Sequence, residues 1–250
     1  MSIYKLIDYL LMNDFSKDIA KYFNKKDKNI VFDVGSYRGS FTKRLSQKLP
    51  NSIFYLFDPQ YLFNTKLYSS KKRNIKCFPI AFYSSISKKK IYINNFLASS
   101  GTGIDSPTYN DFLWNFSRKL FLFSLNKNYS QRIIKTTTID SFVRTHKIKK
   151  IDILKIDVEG SEFDVLKGAK RTLIKSKIIQ LEIITNKSNF NSKYSSIIKY
   201  LKKYDFVILK ELNIPSTSLL SNIKSVDIIF IKKKFRDLKK FDKWENHQQI

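Results

Sequence analysis

A chain of 250 residues, 42% of them hydrophobic, is long enough to bury a substantial core and suits one large domain with decorations. It carries 47 Lys and Arg against 21 Asp and Glu, and the resulting formal charge of +26 draws anions such as nucleic acid, acidic lipid head groups or anionic glycans towards it. Its one cysteine, Cys77, excludes an internal disulfide and a multi-cysteine metal site, so no disulfide-linked partner is expected and a cytoplasmic setting fits.

The basic residues are scattered in short runs such as Lys71–Arg73, Lys88–Lys90 and Lys232–Lys234. Such dispersal argues against a dedicated nucleic-acid module. Lys, Ile, Asn, Phe and Tyr abound while Gly, Ala and Pro are scarce, the balance that A- and T-rich codons favour, so the charge has a passive reading beside the functional one. Residues 1–28 form an N-terminal helical segment in which Ile3, Leu6, Ile7, Leu10 and Leu11 recur at helical spacing. That face packs on the domain or, alternatively, lies peripherally on an anionic membrane. Lys5, Asp8 and Asp14 interrupt the apolar residues, so no signal peptide is expected. No apolar run approaches the roughly 20 residues of a spanning helix.

From Asn29 the chain alternates. Asn29–Val34, Ser52–Phe57 and Asn74–Phe82 are short apolar runs of the kind expected in parallel strands covered on both faces, and helices are predicted over Ser40–Leu49 and Gln60–Tyr68. An insertion over about 83–135 breaks the rhythm with a strand at Lys89–Asn94 and an aromatic-rich helical segment. There Phe112, Trp114, Phe116, Phe121 and Phe123 line a substrate pocket or form a satellite core. A helix capped near Thr138 leads into a strand at Ile151–Ile156. A single helix then follows, capped by Ser161 with Asp164 three residues on, burying Phe163, Leu166, Leu173 and Ile174. Lys177–Ile184 is a strand and Tyr194–Tyr204 a helix, while Asp205–Leu212 and Val226–Lys233 are strands joined by too short a connection for a crossover, hence antiparallel. The expected fold is an α/β layered sheet spanning 29–232, with 233–250 as a basic C-terminal tail.

Asp33, Gly35 and Gly39 form an Asp-x-Gly-x-x-x-Gly turn after the first strand, where such sheets bind ligands, and Asp58 after the second is placed to accept hydrogen bonds from ribose hydroxyls. A dinucleotide would bring its pyrophosphate against the Asp33 carboxylate. S-adenosylmethionine has no phosphate, and its sulfonium and ammonium are stabilised by that carboxylate. Lys155 and Asp157 project together at the end of the fourth strand, with Glu159 in the turn beyond and Glu182 at the corresponding end of the next strand. Asp157 or Glu159 would serve as general base with Lys155 keeping a carboxylate ionised, or Asp157 and Glu182 would hold a hard cation such as Mg²⁺. A third reading makes the same charges a network bracing the sheet.

The segments "VFDVGSYRGSFTKRL", "FYLFDPQ", "TTTIDSF", "ILKIDVEGSEFDVLKGA" and "IIQLEI" occur together and in order, and in them the chain resembles the FkbM-type family of S-adenosylmethionine-dependent methyltransferases. The resemblance implies a Rossmann-like seven-stranded class I methyltransferase sheet, mostly parallel with an antiparallel last strand. It implies that Asp33, Gly35, Ser36, Tyr37 and Gly39 hold the methionine end of the cofactor, that Asp58 meets the ribose, and that Ala81 and Phe82 flank adenine. Ser36 and Tyr37 stand where Ala-Asn is common, and Asp58 where Glu is usual, shortening its reach by one methylene. The family implies O-methylation of a hydroxyl on a glycan, polysaccharide precursor or related small molecule. The charge keeps two alternatives open: a nucleic-acid methyltransferase, or an inactive domain binding anionic lipid or RNA.

Overall fold

The computed structural model describes residues 15–60, 74–94, 103–104, 129–214 and 223–238. Along the chain lie α1 (Ser16–Ala20), β1 (Ile30–Val34), α2 (Ser40–Lys48), β2 (Ile53–Phe57), β3 (Ile75–Phe78), β4 (Ala81–Phe82), β5 (Ser87–Asn94), β6 (Gly103–Ile104) and β7 (Tyr129–Thr137). There follow α3 (Ile139–Thr145), β8 (Ile153–Ile156), α4 (Glu162–Lys167), α5 (Lys170–Lys175), β9 (Ile178–Asn186), α6 (Lys187–Lys202), β10 (Phe206–Ile214) and β11 (Ile223–Lys232). All but the first residue of the predicted helix over Gln60–Tyr68, the aromatics from Phe112 to Phe123 and the apolar face from Ile3 to Leu11 lie outside the described residues.

Seven strands form one sheet in the order β10-β11-β9-β8-β1-β2-β3. The pairs among β1, β2, β3, β8 and β9 are parallel, while β11 runs antiparallel to both β9 and β10. This is the expected α/β sheet, with its antiparallel last strand lodged one place in from the edge. Strand alternation divides the side chains between two covered faces. Phe32, Val34, Leu154, Ile156, Leu181 and Ile183 pack against Phe142 of α3, Leu166 of α4, Leu173 of α5 and Leu201 of α6. Val31, Phe54, Ile153, Ile178 and Ile229 face Ile19 of α1 and Phe41 and Leu45 of α2.

Four local expectations are corrected. Asn74–Phe82 is two strands, because Pro79 has no N–H to give to a ladder. Ile80 N–H instead bonds back to Phe78 O at 2.9 Å, and the chain turns out of the main sheet into a second one ordered β4-β7-β5-β6. The single helix expected after Ser161 is α4 and α5, broken at Gly168, with Ile174 63% exposed rather than buried. Asp140 of α3 supplies the reason: its carboxylate accepts from Arg171 N, Thr172 N and Thr172 Oγ1 at 2.7–2.9 Å, so the first turn of α5 is capped from outside. Gly168 packs tightly at the break, where a Cβ would lie 2.2 Å from Tyr83 O. Ser161 occupies the N-cap position of α4 without a side-chain cap bond; Glu162 Oε1 accepts from Gly160 N at 2.6 Å instead. The helix expected from Tyr194 begins seven residues earlier as α6. Thr138, by contrast, caps α3 as expected, accepting from Ser141 N at 3.0 Å.

Asp152 ties the amino ends of the central strands together. Its buried carboxylate accepts from Ile30 N at 3.0 Å and meets Lys177 at 2.8 Å and Lys150 at 3.1 Å. Burial opposes its ionised form, but Lys177, the Ile30 amide and Lys150 together hold its pKa below the usual Asp range. A depressed carboxyl stabilises the fold above the unfolded pKa of about 4 and loses that contribution as pH falls through the folded value. Asp152→Asn should therefore lower stability at pH 7 by about 1–3 kcal/mol, and this deficit should shrink towards pH 3 in urea titrations at the two pH values.

Candidate active site

The carboxyl ends of β1, β8 and β9 converge at one edge of the sheet, and their loops are shaped by contacts between neighbouring strands. Gly35, at φ +74°, donates to Phe57 O of β2 at 2.9 Å, and a Cβ on it would lie 1.6 Å from Asp157 O beyond β8. Only glycine fits between those two strand ends. Ser36 N–H also reaches Phe57 O, and Gly39, at φ +69°, donates to Ser36 O and precedes α2. Tyr37, at φ +45°, donates its N–H to Asp58 Oδ2 at 2.9 Å, and Gln60 N–H donates to Asp58 Oδ1 at 2.8 Å. Each Asp58 oxygen thus keeps acceptor capacity for another donor. Burial pushes the Asp58 pKa up against those two amide bonds.

Asp33 is buried beneath this loop, accepting from Thr42 Oγ1 at 2.7 Å, while its Oδ1 lies 3.4 Å from Lys155 Nζ. Cross-strand register places Asp33, Lys155 and Gln180 in one row over β1, β8 and β9, and Glu182 opposite Asp227 of β11. Lys155 Nζ turns towards Asp157, 3.0 Å from its Oδ2, and also donates to Gly35 O at 3.4 Å. Burial disfavours the Lys155 ammonium, but Asp157 and Asp33 outweigh burial and hold its pKa above the ordinary Lys value.

The Asp157 and Glu182 carboxyls lie close enough to shift each other's ionisation. Burial works against ionisation of Asp157, yet Lys155 and Glu182 hold its pKa below the usual range. Glu182 moves the other way, well above the usual range, through burial first and then repulsion from Asp157, Glu159 and Asp227. A pair of carboxyls pushed apart in this way holds one proton between them, with Glu182 the more basic member. Glu159 stands beside them at φ +54°, a conformation that non-glycine residues keep only when their surroundings enforce it.

Of the two residues expected against adenine, Ala81 and Phe82, the latter turns its ring into the core, 4.7 Å from Phe57 and 5.8 Å from Phe142. Only its backbone remains to face a ligand. His146 lies exposed at the end of α3, stacked on Phe142 at 3.8 Å, ahead of the amino end of β8. The Mg²⁺ expectation for Asp157 and Glu182 does not fit the donor set. Asp157 already faces the Lys155 ammonium, burial and neighbouring carboxylates push Glu182 towards its neutral form, and among the described residues no three metal-ligating side chains gather. Glu162 was missed by sequence reasoning as anything but a helix residue; its one signal is the Gly160 turn two residues before it.

Among the described residues, no helix is long and apolar enough to cross a membrane. No curated protein matches the chain. Among solved structures, a putative rRNA-methylase from Clostridium thermocellum is 11% identical with a TM-score of 0.48, covering 88% of this chain and 96% of that one. Precorrin-6y C5,15-methyltransferase from Geobacter metallireducens GS-15 is 13% identical, with a TM-score of 0.45, over 89% of this chain and 92% of that one. M. capricolum TrmK, in complex with S-adenosyl-homocysteine, is 13% identical with a TM-score of 0.46, over 89% and 70%. These distant likenesses carry nothing about the acceptor. Residues 33–208, which include the Asp33 loop and all four charged positions of β8, its turn and β9, match the family described as Methyltransferase FkbM domain. With well over half of its length matched, the chain belongs to the FkbM methyltransferase family.

Proposed function

We propose that this methyltransferase uses S-adenosylmethionine to methylate a hydroxyl of a sugar, on a glycan, a polysaccharide precursor or a related metabolite. One observation carries the reading: three adjacent strand ends bring Asp33, Lys155, Asp157 and Glu182 to one edge of the sheet, beside the glycine loop. The residues suit the cofactor, because carboxylates complement its sulfonium and ammonium and Asp58 keeps acceptor capacity for ribose hydroxyls. Asp33, Gly35, Ser36, Tyr37 and Gly39 would hold the methionine end, Asp58 the ribose, and the Ala81–Phe82 backbone the adenine. When bound, S-adenosylmethionine supplies an electrophilic methyl group on sulfur.

Glu182 takes the proton of the acceptor hydroxyl. Asp157, kept ionised by Lys155, makes Glu182 a stronger base, since a second negative charge beside it favours proton uptake. Glu159 and Asp227 add to the same field. The surplus of carboxylates favours an uncharged polyol over a phosphodiester at this edge, despite the basic surface, because a phosphate brought here meets repulsion where water is scarce. Calorimetry with S-adenosylmethionine, then labelled-methyl transfer to glycan and RNA panels, tests the reading. Asp58→Ala should weaken cofactor binding about 10- to 100-fold, the loss of hydrogen bonds to a charged acceptor worth about 1.5–3 kcal/mol. A wild type without cofactor affinity overturns the proposal, and transfer to RNA alone reassigns the acceptor.

A further inference from the structure

Lys193 of α6 spends its ammonium on three acceptors: Glu162 Oε2 at 2.6 Å, Gly160 O at 2.8 Å and Ile184 O at 2.8 Å. Those acceptors belong to three parts of the chain. Gly160 closes the turn that carries Asp157 and Glu159; Ile184 lies on β9 two residues beyond Glu182; Glu162 opens α4. Glu162 is fully buried, and its other oxygen accepts from Gly160 N at 2.6 Å, so both backbone groups of Gly160 end on this one ion pair. The turn needs such a restraint, since Glu159 and Gly160 stand at φ +54° and +111° and a Cβ at Gly160 would meet nothing within 4 Å. Packing holds the Asp157–Val158 end of this turn, whereas the Gly160 end is held by hydrogen bonds to the buried pair.

Asp157 and Glu182 approach each other from neighbouring strand ends; Asp157 N–H is tied to Val34 O of β1 at 3.0 Å, but the ladder between β8 and β9 stops at Ile156. Resting on the reading of that pair as the base, we infer that the Glu162–Lys193 ion pair is the positioning device that sets the separation of the Asp157 and Glu182 carboxyls. One ammonium grips the backbone of both arms, and its removal frees the Gly160 end of the turn from β9. None of their hydrogen bonds goes to the cofactor loop at 35–39. The groups facing Glu182 are Asp157, Glu159 and Asp227, together with Lys155, which lies 3.0 Å from Asp157 Oδ2.

The test compares Lys193→Met, Lys193→Arg, Glu162→Gln and, as a control, Lys167→Ala, which removes an exposed pair with Asp164 and a contact over the Phe163 ring, both within α4. Lys193→Met should lower kcat about 10- to 100-fold, the scale of displacing a reacting group by about 1 Å, with the affinity for S-adenosylmethionine by calorimetry unchanged within about twofold. Lys193→Arg should recover part of kcat, Glu162→Gln should fall between, and Lys167→Ala should match wild type. A second readout needs no turnover: the carboxyl carbon of Glu182, followed by NMR, should titrate closer to ordinary Glu in Lys193→Met as the pair separates. Folded Lys193→Met protein with wild-type kcat and an unmoved Glu182 titration overturns the inference. If the wild type binds cofactor but methylates nothing in the panel, the acceptor reading fails, and the Glu182 titration still decides the positioning role.

Discussion

Glu182→Gln is expected to lower kcat about 10²- to 10⁴-fold, the usual worth of a positioned general base, and at the same time to make the protein more resistant to urea near neutral pH. Both effects come from one cause. Burial and then Asp157, Glu159 and Asp227 raise the pKa of Glu182, so between the ordinary Glu range and that raised value the folded chain binds a proton the unfolded chain releases. Stability therefore falls as pH climbs through this window, and a neutral amide abolishes the fall. Activity runs the opposite way: the base must be ionised, so kcat should rise as pH passes through the raised Glu182 value. Asp157→Asn removes the negative neighbour and should move that limb to lower pH with a weaker plateau. A Glu182→Gln variant with wild-type kcat would remove Glu182 from the chemistry, and a variant inactive merely through misfolding would show lowered rather than raised urea resistance.

The second large effect is expected at Gly35. An alanine there would set its Cβ 1.6 Å from Asp157 O while holding φ at +74°. The left-handed conformation costs about 1–2 kcal/mol and the overlap about 1–3 kcal/mol more. Because the obstruction is the backbone of Asp157, which no side-chain rotation can clear, relief requires β1 and β8 to part at their carboxyl ends. Gly35→Ala should thus lose stability in urea and cofactor affinity in calorimetry together, with Asp157 displaced as well. Gly160→Ala is the useful contrast, since that site is strained at φ +111° but open, and its cost should be conformational alone. Equal urea midpoints for Gly35→Ala and wild type would contradict the steric account.

The main sheet was legible because parallel strands covered on both faces read as unbroken apolar runs, as in Ile30–Val34 and Ile153–Ile156. The charges at its edge were legible for the same reason: Lys155 and Asp157 interrupt a buried pattern at a period of two. What stayed hidden depends on partners far along the chain. Nothing near Gly168 announces that Asp140, some 30 residues earlier, will cap a new helix there, or that Tyr83 O will lie against it. Strand β7 is half-exposed and polar in part, so it gives no continuous run. Lys193 looks like any other lysine of a basic helix until folding brings Gly160, Glu162 and Ile184 around it. The roles within the carboxyl pair were equally invisible, because which member keeps the proton depends on burial and on Asp227 from a strand 45 residues away.

The second sheet joins the first through a narrow neck. The chain departs after Ala81 and Phe82, which pair with Thr136 and Thr137, and Tyr83 N–H donates to Thr137 O at 2.8 Å. Departure and return are thus one hydrogen bond apart, and Gly168 seals the neck from below. Everything strung between those two residues is, in polymer terms, a single loop whose ends are already closed. Lengthening such a loop costs only about 0.6 kcal/mol for each doubling. Shorter, longer or differently decorated versions of this cassette should therefore leave the strand ends bearing Asp33, Asp157 and Glu182 where they are.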